Sequence, residues 1–166
     1  KKIAYKVLEL SKNYSPQEAL VFVGSIAGIL YSLKNEELTN KFLEMFESYP
    51  SEYMLETAFN ISDILYLTES KKIAYKVLEL SKNYSPQEVM IITSGMLGIL
   101  YLTKNKKILN KLLDNLISKD YSKTRELISS ILEGESRSKY TNSIIDLKRF
   151  IENKLNSQNI FSYSKE

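Results

Sequence analysis

KKIAYKVLELSKNYSPQE occupies residues 1–18 and returns letter for letter at residues 71–88. An identity of that length does not arise by chance, so the chain was built by duplication. The identity stops sharply: residues 19–46 match 89–116 at only 9 of 28 places. Uniform drift after one duplication gives no such edge. Recent gene conversion gives one, and so does an error in assigning the first segment.

The period is half the 70-residue spacing. Shifting the chain by 35 aligns Ile29-Leu30-Tyr31 with Ile64-Leu65-Tyr66 and Ile99-Leu100-Tyr101. Lys6, Lys41, Lys76 and Lys111 fall in register, as do Leu8, Leu43, Leu78 and Leu113, followed by Glu9, Glu44, Glu79 and Asp114. Ser15-Pro16, Pro50-Ser51 and Ser85-Pro86 mark the joints. These define units 15–49, 50–84 and 85–119 after a half unit, 1–14. A period of 20–50 residues is the mark of a solenoid, whose units bury their apolar faces against neighbours.

Composition narrows the chemistry. The chain has no Cys, hence neither disulfides nor thiolate metal sites. It has no His, which removes the commonest general base and transition-metal ligand. Net charge is +3, too mild to imply nucleic acid by itself. The five Gly form no phosphate-cradling loop. Carboxylates such as Glu56 and Asp63 have the spacing of a helix face, which is not specific for acid–base work. The expectation is a non-enzyme without cofactor or metal. The chain opens Lys-Lys without a charged-then-apolar leader, which gives a cytoplasmic expectation. Residues 19–33 and 89–102 are nearly free of charge but shorter than the roughly 20 a bilayer span needs. The aligned middle helix carries Glu52, Glu56 and Asp63. Buried helices, and no membrane, are expected.

Local patterns place the helices. Ile3, Ala4, Val7, Leu8 and Leu10 form one apolar stripe over residues 1–13. Ser15 is a good N-cap, Pro16 suits the first turn, and Glu18 completes a capping box before a helix over 16–33. Further helices are predicted over 36–48, 51–68, 71–83, 86–103 and 106–118, joined by short turns that make them antiparallel. After Tyr121 the repeat decays. A helix over 122–132 stops at Gly134, a polar loop covers 135–142, and a second helix covers 143–155. This pair reads as a diverged C-terminal cap over 122–157, followed by a flexible tail, 158–166. Residues 1–121 form the array. The first helix lacks a preceding partner, which reads as a fragment with repeats upstream or as an N-terminal cap.

Thirty-five-residue two-helix units resemble tetratricopeptide and pentatricopeptide repeats over residues 1–119. Leu97-Gly98-Ile99-Leu100-Tyr101 fits the L-G-x-x-Y of the tetratricopeptide first helix. Ala74 with Pro86, and Ala4 with Pro16, fit its second-helix Ala and following Pro. The two halves fit one register only with a shift of a residue or two, and there is no Trp. The resemblance implies an all-α fold, a right-handed α-α superhelix of antiparallel helical hairpins whose first helices line a groove for peptides.

One face of these first helices differs between units. It reads Val21, Ser25, Gly28 in the first unit and Ile91, Gly95, Gly98 in the third, but Glu56, Asn60, Asp63 in the second, with Glu52 a turn earlier. Small residues admit another backbone, whereas carboxylates want water or a cation. As a groove, this face suits a basic protein or peptide segment with apolar residues around its Lys or Arg. As a seam, the small residues pack inside and the acids are solvated. A ladder of Lys2/Lys6, Lys72/Lys76 and Lys107/Lys111 could follow a phosphate backbone, although Glu9, Glu44, Glu79 and Asp114 offer i, i+3 pairs. The recurring Tyr31, Tyr66, Tyr101 and Tyr14, Tyr49, Tyr84 suit packed rings with wet hydroxyls. The expected function is a scaffold for protein–protein interaction. The alternatives are a single-stranded RNA-binding repeat protein and self-association through 19–33 and 89–102.

Overall fold

The computed structural model describes residues 2–135 and 138–163, and every element among them is an α-helix, without a strand. In order these are α1 (Lys2–Ser11), α2 (Pro16–Leu33), α3 (Glu36–Glu47), α4 (Ser51–Thr68), α5 (Lys71–Asn83), α6 (Pro86–Thr103), α7 (Lys106–Ile117), α8 (Tyr121–Leu132) and α9 (Lys139–Tyr163).

Punctuation residues set the boundaries. The Ser15 hydroxyl accepts from the Glu18 N–H while the Glu18 carboxylate accepts from the Ser15 N–H, and Pro16 opens α2. Hydrogen bonding from Ser15, through its side chain first and then its backbone N–H, holds the Glu18 carboxyl below its ordinary pKa. Ser85 and Glu88 repeat the box before α6. Asn35, Ser70 and Asn105 cap α3, α5 and α7 with side-chain oxygens. Before each of them stands a non-glycine residue in the left-handed region: Lys34 (φ 47), Glu69 (φ 48) and Lys104 (φ 51). The N–H groups of these three residues donate to Leu30, Leu65 and Leu100 carbonyls at 2.8, 2.7 and 2.9 Å. Satisfying a terminal carbonyl offsets a conformation that costs about 1 kcal/mol in an L-residue.

The chain divides into two compact units, residues 1–93 and 94–166. In the first, α2 and α4 share the broadest seam, with α1 and α3 against α2 and with α5 against α3 and α4. Its centre is aromatic. Phe22 meets Phe46 edge-on at 6.1 Å, Tyr14 lies 5.9 Å from Phe22, and Tyr49 meets Phe46 edge-on at 5.9 Å. Ile26, Ile29, Leu33, Phe42, Ile61, Ile64 and Leu65 fill the remainder and are buried. The Tyr14 hydroxyl donates to the Ser51 carbonyl at 2.8 Å. Burial, with Glu18 nearby, pushes that hydroxyl's pKa up to about 12. By length and composition α2 is apolar enough to cross a bilayer. Here its Phe22, Ile26, Ile29 and Leu33 serve the core.

The expected stripe on α1 is only partly used. Val7 is buried, Ile3 and Leu10 are half-buried, and Leu8 is 62% exposed. The physical reason is partial cover: among the described residues α2 and α3 pack on one side of α1.

In the second unit α8 packs on α7 and on α9. Leu109, Leu112, Leu113, Leu116, Ile128, Ile144, Leu147 and Ile151 are buried there. Asp120 caps α8 by accepting from the Lys123 N–H, and its carboxyl is held below its ordinary pKa by hydrogen bonding from Lys123. Gly134 (φ 80) follows the end of α8. The α9 helix starts at Lys139 and runs through Tyr163, so it takes in the end of the expected loop and most of the expected tail. No Gly or Pro occurs after Gly134 to stop it. Residues 164–166 lie outside the described residues.

Candidate functional site

The candidate site is the outer face of α4. Nine of its side chains turn inward, among them Met54, Thr57, Ala58, Ile61, Ile64 and Leu65. What remains outward is ordered. Glu52, Glu56, Phe59, Asp63 and Tyr66 follow one another at steps of four, three, four and three residues, which is one stripe along a helix. Glu52 and Glu56 are exposed, Phe59 is 46% exposed, and Tyr66 is 64% exposed. Asp63 is half-buried, and burial pushes its carboxyl pKa up. From Glu56 onward, acid and aromatic alternate along the stripe, with Glu52 a second acid before them.

The residues expected to line a groove separate into two sets. Glu52, Glu56 and Asp63 share the outer stripe, and Val21 is exposed on the neighbouring α2. The others turn in. Asn60 is buried and its amide donates to the Thr93 hydroxyl at 3.4 Å. Ser25 is buried, its hydroxyl donating to the Val21 carbonyl at 2.8 Å. Ile91 is half-buried. Gly28 faces the Ser62 hydroxyl of α4 so closely that a Cβ would collide with it. Leu147 stands 2.6 Å from where a Cβ on Gly95 would lie, and the Tyr140 carbonyl 2.7 Å from where one on Gly98 would lie. Gly98 thus admits backbone of the chain's own α9, and Gly95 admits the Leu147 side chain of the same helix. Tyr101 and Tyr140 stack beside that contact at 4.6 Å.

Helical phase explains Asn60. At about 100° per residue, Asn60 lies roughly 80° round the helix from Glu52, whereas Phe59 lies about 20° from it. Phe59 and Tyr66 are the members that the i, i+4, i+7 reading missed. Their signal was present: two aromatics in step with three acids.

Lys6 and Lys41 are engaged with neighbours. The Lys6 ammonium lies 2.9 Å from Glu47 and 3.6 Å from Glu44 of α3. Hydrogen bonding to Glu47 raises its pKa. Lys41 pairs with Glu37 at 3.2 Å and stands 5.8 Å over the Tyr75 ring. Glu9 and Glu79 pair with Lys12 and Lys82, which follow them by three residues. A carboxylate N-terminal to its cation is the better order on a helix, which favours these partners over Lys6 and Lys76. Such exposed pairs contribute little to stability. Among the described residues no cluster of three acidic, His or Cys side chains could hold a metal ion.

Comparison with protein-family models, characterised proteins and solved structures finds no match to this chain.

Proposed function

We propose that this chain is a non-enzymatic scaffold built as a right-handed solenoid of 35-residue helical hairpins. In this reading the α4 stripe receives a basic segment of a partner protein. The spacing supports the array. Helices α2, α4, α6 and α8 start at residues 16, 51, 86 and 121, and α3, α5 and α7 start at 36, 71 and 106. The left-handed turn residues 34, 69 and 104 and the caps 35, 70 and 105 keep the same interval. The likeness to tetratricopeptide repeats rests on these positions together with Gly98 and Tyr101.

One observation carries the functional reading. Phe59, between Glu56 and Asp63, and Tyr66, one step beyond Asp63, are large side chains left in solvent. Exposed aromatics grouped with like charges mark a binding surface. The chemistry fits Lys or Arg spaced by apolar residues: the cation meets carboxylates or a ring face, and the apolar side chains cover Phe59.

The test is anisotropy titration with a labelled peptide of alternating Lys/Arg and Leu/Phe, beside an acidic peptide and single-stranded RNA of matched length. Binding of the basic peptide alone is expected, weakened about tenfold or more by Glu52→Lys with Glu56→Lys, and again by Phe59→Ala. Binding that ignores both substitutions, or that is confined to RNA, removes this reading.

A further inference from the structure

An open groove of about 490 Å³ runs between α1 and α2, lined by Ile3, Ala4, Leu8, Val23, Ala27 and Leu30. The chain carries its own comparison for this face, because residues 71–88 repeat residues 1–18. Ile73, Ala74 and Val77 of α5, the twins of Ile3, Ala4 and Val7, are all buried. Helices α3 and α4 pack on α5. In α1 the same side chains leave Ile3 half-buried and Ala4 exposed. The α2 wall tells the same story. Thirty-five residues after Val23, Ala27 and Leu30 come Ala58, Ser62 and Leu65 of α4, buried on a helix that packs against α2.

The charges run in one direction along these helices. Lys6 of α1 reaches Glu44 and Glu47 of α3, and Lys41 of α3 stands over Tyr75 of α5. Each helix offers its cation to the next. Tyr5, the twin of Tyr75, is 67% exposed on α1. The geometry points to one occupant: the α1–α2 groove docks a two-helix hairpin with the chemistry of α3–α4, an apolar ridge flanked by a cation that comes to rest over Tyr5. A second copy of this chain placed head to tail fits poorly. Among the described residues of 94–160, the exposed large hydrophobics are Tyr101 and Ile160. This inference rests on the hairpin-on-hairpin reading above and is independent of the α4 stripe.

The test adds residues 36–70 ahead of Lys1 in the full chain. Because residues 1–18 equal 71–88, the extension restores the run 36–88 across the junction. The parent and extended chains are compared by hydrogen exchange, by binding of an apolar dye and by light scattering. The expected result is a monomeric parent that binds the dye, and an extended chain that binds less. Amides 3–10 of the extended chain gain about tenfold protection or more. Ala4→Arg, at a position exposed in the parent, leaves the parent folded and abolishes that gain. Unchanged protection of α1 overturns the proposal, and so does a parent dimer that Ala4→Arg dissociates, since the occupant is then a second copy. Basic-peptide binding is titrated on both chains: its absence speaks against the α4 reading and leaves the protection result standing.

Discussion

Three glycines on the long apolar helices give a graded test of how tightly those helices are covered. Nothing lies within 4 Å of the point that a Cβ on Gly24 would occupy. Gly24→Ala therefore supplies helix propensity alone and is expected to stabilise by about 0.5–1 kcal/mol. Gly98 is the opposite case. Its Cβ would lie 2.7 Å from the Tyr140 carbonyl, 2.7 Å from the Ser143 hydroxyl and 3.1 Å from Ile144 Cγ1. One of the two nearest atoms is backbone, which cannot swing aside, so α9 must retreat by about 0.7 Å to reach ordinary contact. That retreat strains the Tyr101–Tyr140 stack, which joins the two helices. Overpacking of this kind costs about 1–3 kcal/mol, and a backbone obstacle argues for the upper end. After the propensity gain, Gly98→Ala is expected to lose about 1–2 kcal/mol. Gly28 falls between them, because its obstacle is the Ser62 hydroxyl, and a serine side chain can rotate.

Urea unfolding, followed by far-UV circular dichroism for helix and near-UV for the tyrosine pair, reads all three variants. The expected order of midpoints is Gly24→Ala above wild type, then Gly28→Ala, then Gly98→Ala. A change in near-UV signal is expected only for Gly98→Ala. A Gly98→Ala protein as stable as wild type, with its tyrosine signal intact, refutes the α6–α9 contact. It would also return Gly98 to the set of residues open to a partner.

Two further outcomes follow from burial. Burial raises the Asp63 pKa, so the folded chain holds that proton to higher pH than the unfolded chain does. Its stabilising, protonated form is complete below the unfolded value of about 3.9 and is lost as pH rises through the folded one. Asp63→Asn should therefore be more stable than wild type at pH 7 and lose that advantage near pH 3, while binding the basic peptide more weakly; equal gains at both pH values contradict the burial. Phe22→Ala removes a fully buried ring and its edge contact with Phe46 and should cost about 3–5 kcal/mol in chemical unfolding, against a negligible change for Tyr31→Ala, whose side chain is exposed.

The boundaries of α2 to α7 were legible because each is written locally. The Ser15–Glu18 box, Pro16, the Asn35 and Asn105 caps and the two-residue turns act within a few residues of themselves. Placement of α9 was not legible. Gly98 announces a close approach, but nothing in the sequence says that the approaching backbone is Tyr140. The α4 stripe was half legible: its acids stand out by charge, while Phe59 and Tyr66 look like core residues until the opposite face is seen to be filled by Met54, Ala58, Ile61 and Leu65.

The two identical stretches show where reading a sequence ends. Residues 1–13 and 71–83 have the same letters, the same propensities and the same following cap, yet α5 keeps its helix to Asn83 while α1 stops at Ser11. Short isolated helices are marginal in water, and packing supplies most of their stability. In α5, Leu80 is buried; in α1, its twin Leu10 is half-buried. The difference in length thus goes with the difference in cover, within stretches whose own letters are the same. If a hairpin laid over α1 restores the cover, the helix should also advance through Lys12 to Asn13, and exchange at those two amides would report it.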